Sequence, residues 1–97
     1  MFSNAECRAL AEECLRRLAQ EMDEELVLIP DPLETSSTLA YFYNTASFVA
    51  TGNYVNALAG NAPLMVRKLT GEIKEAGTAL PTKHYVREFE AISERSA

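Results

Sequence analysis

Residues 35–66 read TSSTLAYFYNTASFVATGNYVNALAGNAPLMV, a segment with no charged side chain, and its interpretation decides the fold. Serine, threonine and asparagine recur through it, which makes it too polar to cross the hydrocarbon core of a bilayer. Its first part fits a helical repeat. We interpret that part as a helix that begins between Pro32 and Thr38 and ends at Thr51, because Gly52 suits the left-handed position that terminates helices.

This predicted helix has two opposite uncharged faces, although a surface helix needs only one apolar face. The first face comprises Leu39, Phe42, Tyr43, Ala46, Val49 and Ala50. The opposite face comprises Tyr41, Asn44, Thr45 and Phe48. The second face is covered either by the chain's own core or by another protein chain, and both alternatives are open. We take its four residues as candidate partner-binding residues, since aromatic side chains often anchor interfaces.

The sequence before this segment predicts a first helix from about Asn4 to between Leu26 and Leu28. Ser3 and Glu6 have the spacing of a capping box at its start. The predicted inward stripe recurs at three- and four-residue steps and comprises Cys7, Ala11, Cys14, Leu15, Leu18, Met22 and Leu26.

The sequence after residue 52 predicts three more helices, each bounded by glycine, proline or a capping residue. They are a short helix over residues 54–59, a helix from Pro63 to Gly77, and a last helix that begins at Thr82. We therefore expect an all-α fold: a small bundle of about four main helices plus one short helix. Residues 1–97 are interpreted as a single helical domain.

The formal net charge of −5 is unevenly distributed: residues 1–34 contain nine acidic and three basic side chains. Glu21, Asp23, Glu24 and Glu25 cluster near the end of the first helix. They are interpreted either as a solvated helix end or as a docking site for a basic surface, and both alternatives are open. The basic surface would belong to a partner or to the predicted third helix, which contains Arg67, Lys68 and Lys74. An acidic chain lacks the basic face of nucleic-acid binders, so no nucleic-acid partner is expected.

The sequence offers little that suggests chemistry. Cys7 and Cys14 are the only cysteines and His84 is the only histidine, too few for a zinc site within one chain. His84 is expected at the surface near Glu88. We predict no catalytic residue, no cofactor and no metal, and therefore no enzyme. Two unpaired cysteines, with no signal-peptide pattern at the start, favour the cytoplasm.

Two functional hypotheses follow. The first is a small acidic protein-interaction module, an adaptor, chaperone or inhibitor, that binds another protein or a second copy of itself as a homodimer. The alternative is a helical bundle that binds a small molecule in a pocket lined with tyrosine and asparagine. The residues assigned to that pocket are Tyr41, Tyr43, Asn44, Asn53, Tyr54 and Asn56.

Overall fold

The fold was obtained as a computed structural model, which describes residues 1–53, 62–77 and 79–96, with side chains up to residue 91. The helices in this part are α1 (Asn4–Met22), α2 (Ala46–Thr51) and α3 (Thr82–Ser96). The strands are β1 (Leu26–Leu28), β2 (Leu33–Glu34), β3 (Thr38–Tyr41), β4 (Tyr43–Thr45), β5 (Leu64–Arg67) and β6 (Ile73–Glu75). The fold is therefore mixed α/β, and the prediction of an all-α bundle is wrong.

The strands form two antiparallel sheets. Four strands are arranged in the order β2-β3-β5-β6, and β1 pairs with β4 in a second sheet. β1–β2 and β3–β4 together make one long, bent hairpin. Leu28 pairs with Tyr43 and Leu33 with Ala40, so residues 29–32 lie opposite only residues 41–42. The longer segment, residues 29–32, contains Pro30 and Pro32, which cannot donate hydrogen bonds to a neighbouring strand.

The four-stranded sheet is covered by a helix on each face, which explains why its central strands carry no charge except Arg67 at the end of β5. In β3, Leu39 and Tyr41 belong to the core cluster that includes α1. Ala40, between them, belongs to the cluster that includes Val86 and Phe89 of α3. A strand that is buried on both faces is continuously apolar. The helix predicted from about Pro32 to Thr51 is therefore wrong except for its last six residues. The reason is that a short apolar run fits the repeat of a buried helix and that of a buried strand.

The predicted helix from Pro63 to Gly77 is also wrong. β5 is another strand that is buried on both faces, and a turn connects it to β6. Gly71 occupies that turn with φ 76°, and a Cβ atom there would lie 3.1 Å from side-chain atoms of Leu10 and Phe2. The turn and the start of α1 therefore approach each other closely, which requires glycine.

The first and last helices were predicted at the right places. The capping box at Ser3 and Glu6 is present. α1 ends at Met22 rather than near Leu26, because Asp23 adopts the left-handed conformation and Glu24 N donates to Ala19 O (3.1 Å). α3 begins at Thr82 as predicted. Within the described residues, none of the helices is both long and apolar enough to span a membrane. The predicted short helix over residues 54–59 lies outside the described residues.

Candidate functional site

The four predicted partner-binding residues of the uncharged segment lie at different depths. Tyr41 is only 2% exposed, and its hydroxyl donates to Asn4 O at 3.3 Å. Burial raises the pKa of Tyr41 above its ordinary value. Thr45 is buried, whereas Asn44 and Phe48 are half-buried. Tyr41 is therefore a core residue that a partner does not reach in the folded protein.

The accessible part of the uncharged segment is α2. Thr45 caps this short helix by accepting a hydrogen bond from Phe48 N at 3.0 Å. Gly52 ends it with φ 71°, which confirms the predicted helix stop. None of the six helical residues is fully buried, and Val49 is 49% exposed. α2 is thus a capped, uncharged helix at the surface.

The four acidic residues near the end of α1, Glu21, Asp23, Glu24 and Glu25, are all exposed. Within the described residues, none of their carboxylates forms an ion pair. Two of the three basic residues predicted as internal partners have other contacts: Arg67 pairs with Glu72, and Lys68 Nζ lies 2.7 Å from Glu34 Oε2. Internal docking of the acidic cluster on Arg67 and Lys68 is therefore wrong.

The structure brings the acidic cluster and α2 together. The backbone N–H of Ala46, the first residue of α2, donates to the carbonyl of Glu25 at 2.9 Å. The next residue, Leu26, pairs with Thr45 in the β1–β4 sheet. We call the combined region the acidic–apolar surface and define it as residues 21, 23, 24 and 25 with Phe48, Val49 and Ala50. The sequence predicted the four acidic residues and Phe48 as partner-binding residues, but it placed Val49 and Ala50 on the opposite face of the predicted helix. The proximity of the two parts was not predictable, because 20 or more residues separate them along the chain.

The acidic part of this surface lowers the stability of α1. The last turn of α1 contains no basic residue, and the C-terminal end of a helix is the negative end of its dipole. Each nearby carboxylate therefore costs about 0.3–1 kcal/mol when exposed. The same charges create a negative potential that attracts a cationic partner.

The two cysteines and the histidine have ordinary structural surroundings. Cys7 and Cys14 are free, and burial raises the pKa of both thiols. His84 is exposed as predicted, with Nε2 2.8 Å from Glu88 Oε1. Within the described residues, no group of three or more histidine, cysteine or acidic side chains is arranged to hold a metal ion.

The tyrosines and asparagines assigned to a ligand pocket do not line a common cavity in the described part of the chain. Tyr41 and Tyr43 pack into the core beside α1. Asn53 is exposed, while Tyr54 and Asn56 lie outside the described residues. A groove of about 400 Å³ lies elsewhere in the described part of the chain, between β2 and α3. The sequence pattern did not predict this groove, because its two sides lie about 50 residues apart along the chain.

These observations define a small mixed α/β domain with an antiparallel sheet between two helices and an acidic–apolar surface at the end of the first. The chain is similar to an uncharacterised protein of Escherichia coli (strain K12), YrhB, with 41% identity over 51 residues. The match covers 52% of this chain and 54% of YrhB, so the chain spans about half the length of that curated relative. No protein-family profile and no solved structure matches the chain.

Proposed function

We propose that this protein is an interaction module that binds another protein through the acidic–apolar surface. It acts in the cytoplasm as an adaptor, chaperone or inhibitor rather than as an enzyme. The observation that carries the proposal is the hydrogen bond of 2.9 Å from Ala46 N to Glu25 O. This bond holds exposed carboxylates beside an exposed, uncharged helix, and a polar rim around an apolar centre is the usual anatomy of an interface.

The partner that fits this surface has basic side chains around an apolar one. Its cations meet the carboxylates of residues 21–25, and its apolar side chain covers Phe48 and Val49. A second copy of the chain fits less well, because a symmetric contact would bring two acidic clusters together. Nucleic acids and anionic membranes have the same sign of charge as the surface, so we propose neither as a partner.

The proposal is tested by capture from the native cell with matched variants, followed by affinity measurement with each purified partner. Val49→Glu puts a charge in the centre of the surface and is expected to weaken binding about tenfold or more. Leu69→Glu is the control, because Leu69 is 65% exposed in the turn between β5 and β6, outside the surface. A partner that binds both variants with the same affinity would overturn the assignment.

The acidic part is tested separately by Glu21→Gln, Asp23→Asn, Glu24→Gln and Glu25→Gln in one chain. We expect slower association and a smaller dependence of affinity on salt. An unchanged association rate at low salt would show that the acidic cluster is not part of the binding site. Circular dichroism of each variant confirms that the fold is retained.

A further inference from the structure

A groove of about 400 Å³ lies between strand β2 and helix α3, away from the residues of the acidic–apolar surface. This volume is within the range of small-molecule sites, roughly 300–1,000 Å³. β2 and the residue after it contribute Leu33, Glu34 and Thr35, and α3 contributes Lys83, Val86, Arg87 and Glu90. The α3 residues follow the spacing of one helical stripe, so the helix presents one continuous wall to the groove.

The groove has apolar surface between its charged groups. Val86 is 2% exposed and belongs to the core cluster between the sheet and α3. Leu33 is half-buried and packs against the same cluster. The apolar part of the groove is therefore continuous with the core and held in place by it, so a ligand finds a preformed apolar contact.

The two carboxylates of the groove differ in their partners. Glu34 accepts hydrogen bonds from Lys68 Nζ at 2.7 Å and from Asn4 Nδ2 at 3.3 Å. Glu90 accepts a hydrogen bond of 2.7 Å from the hydroxyl of Thr35 and has no ion pair within the described residues.

Lys83 and Arg87 are exposed, lie one helical turn apart, and form no ion pair with a described residue. The groove thus offers two uncompensated cations against one uncompensated carboxylate. Glu90 lies seven residues from Lys83 but only three from Arg87, about 10 and 4.5 Å along the helix axis, so it is the charge that opposes an anion held between the two cations.

From this arrangement we infer that the groove binds a small apolar carboxylate. The carboxylate lies between Lys83 and Arg87, and its apolar body lies on Leu33 and Val86. This site is independent of the proposed protein-binding function. A peptide strand added to β2 is the poorer occupant, because Pro32, directly before β2, has no N–H to donate. Thr35 N is already used by Thr38 O (2.9 Å), which leaves only Glu34 with both backbone groups directed outward.

The test is a titration of the ¹⁵N-labelled full chain, followed by NMR, with octanoate, octan-1-ol, octylamine and acetate in turn. Octanoate is expected to shift the amide signals of Lys83, Val86 and Arg87 and to bind more tightly than any of the other three. Equal or tighter binding of octanol or octylamine would overturn the inference, since the cations would then play no part. Equal binding of acetate, or no binding of octanoate, would overturn it as well.

Two charge variants with opposite expected effects locate the site. Arg87→Gln is expected to weaken octanoate binding roughly two- to fivefold, the range for one exposed ion pair. Glu90→Gln is expected to strengthen it, because it removes the opposing charge. Arg16→Gln, which changes an exposed arginine on α1, is the control and is expected to have no effect. Equal affinities for Arg87→Gln and Arg16→Gln would place the ligand elsewhere.

The carboxyl terminus of a protein also combines a carboxylate with an apolar side chain. A short peptide with an apolar C-terminal residue distinguishes this ligand from a free small molecule. Acetyl-Leu-Val with a free carboxylate is compared with its amide and with octanoate. Weaker binding of the peptide than of octanoate supports a free small molecule as the occupant. Tighter binding of the peptide acid would overturn that assignment and favour the carboxyl terminus of a protein.

Discussion

Asp23 terminates α1 in the left-handed conformation, with φ 53°, at a position where glycine is the usual residue. Its side chain also adds a negative charge at the negative end of the helix dipole. We expect Asp23→Gly to raise the free energy of unfolding by about 1 kcal/mol, because it relieves both costs. Asp23→Asn removes only the charge and is expected to give a smaller increase. Urea unfolding checks both variants, and a glycine variant no more stable than the asparagine variant would contradict the conformational part.

The carboxylate of Glu34 makes the stability of the fold depend on pH. Hydrogen bonds from Lys68 and then Asn4 lower the pKa of Glu34 below its ordinary value. In the unfolded chain the group regains its ordinary pKa and binds a proton at higher pH. Its contribution to stability is therefore complete above the unfolded pKa and is lost as the pH falls through the folded pKa.

We accordingly expect Glu34→Gln to destabilise the protein at neutral pH by an amount that shrinks as the solution is acidified. Urea midpoints of wild type and variant, measured from neutral to acidic pH, check this. The control is the same substitution in a Lys68→Met chain, where the pH-dependent difference should be much smaller. A difference between wild type and Glu34→Gln that stays constant with pH would contradict the assignment.

At the scale of elements, we expect the buried strand β3 to contribute more to stability than the exposed helix α2. Tyr41 fills the core beside α1, so Tyr41→Ala is expected to cost about 3–5 kcal/mol, as for other large buried aromatic residues. Tyr41→Phe removes only the hydrogen bond to Asn4 O and is expected to cost about 0.5–1.5 kcal/mol. Val49→Ala in α2 is the surface control, expected within about 0.5 kcal/mol of wild type. Chemical unfolding measures all three, and a small effect of Tyr41→Ala would contradict its place in the core.

Two glycines distinguish an open helix end from a turn in close contact with another element. Gly52 and Gly71 both have positive φ, 71° and 76°. A Cβ at Gly52 meets no atom within 4 Å, whereas one at Gly71 lies 3.1 Å from Leu10 and Phe2. We expect Gly52→Ala to cost about 1 kcal/mol and Gly71→Ala more, since it also displaces α1 side chains. Equal costs in thermal unfolding would show that α1 and the turn are not in close contact.

At the scale of the whole molecule, we expect the negative charge of the acidic–apolar surface to oppose self-association at low salt. The net charge is −5, and a symmetric contact would place the acidic clusters of two copies together. We expect sedimentation equilibrium to give a monomer mass at low salt, with association, if any, increasing as salt screens the repulsion. Val49→Glu is expected to prevent that association and Leu69→Glu to leave it unchanged. A dimer that is tightest at low salt would contradict this account.

Elements specified by neighbouring residues were predictable from the sequence, whereas contacts between distant segments were not. The candidate site contains features of both kinds. Phe48 and the four acidic residues were predicted from the sequence as partner-binding residues, and this stays a prediction until a partner is measured. The contact between Glu25 and Ala46 was not predictable, because it joins segments brought together only by the β1–β4 pairing. The groove between β2 and α3 was missed for the same reason.

The sequence by itself determined where α1 and α3 begin, that α2 stops at Gly52, and that the first third of the chain is strongly acidic. Capping, glycine conformation and charge act between near neighbours, so they can be read along the chain. Only the tertiary structure decided that Leu39, Ala40 and Tyr41 form a strand with a helix on each face. That outcome depends on pairing with β5, which lies more than twenty residues away along the chain. Without this pairing the sequence is ambiguous, because a run of apolar residues is compatible with a buried helix and with a buried strand.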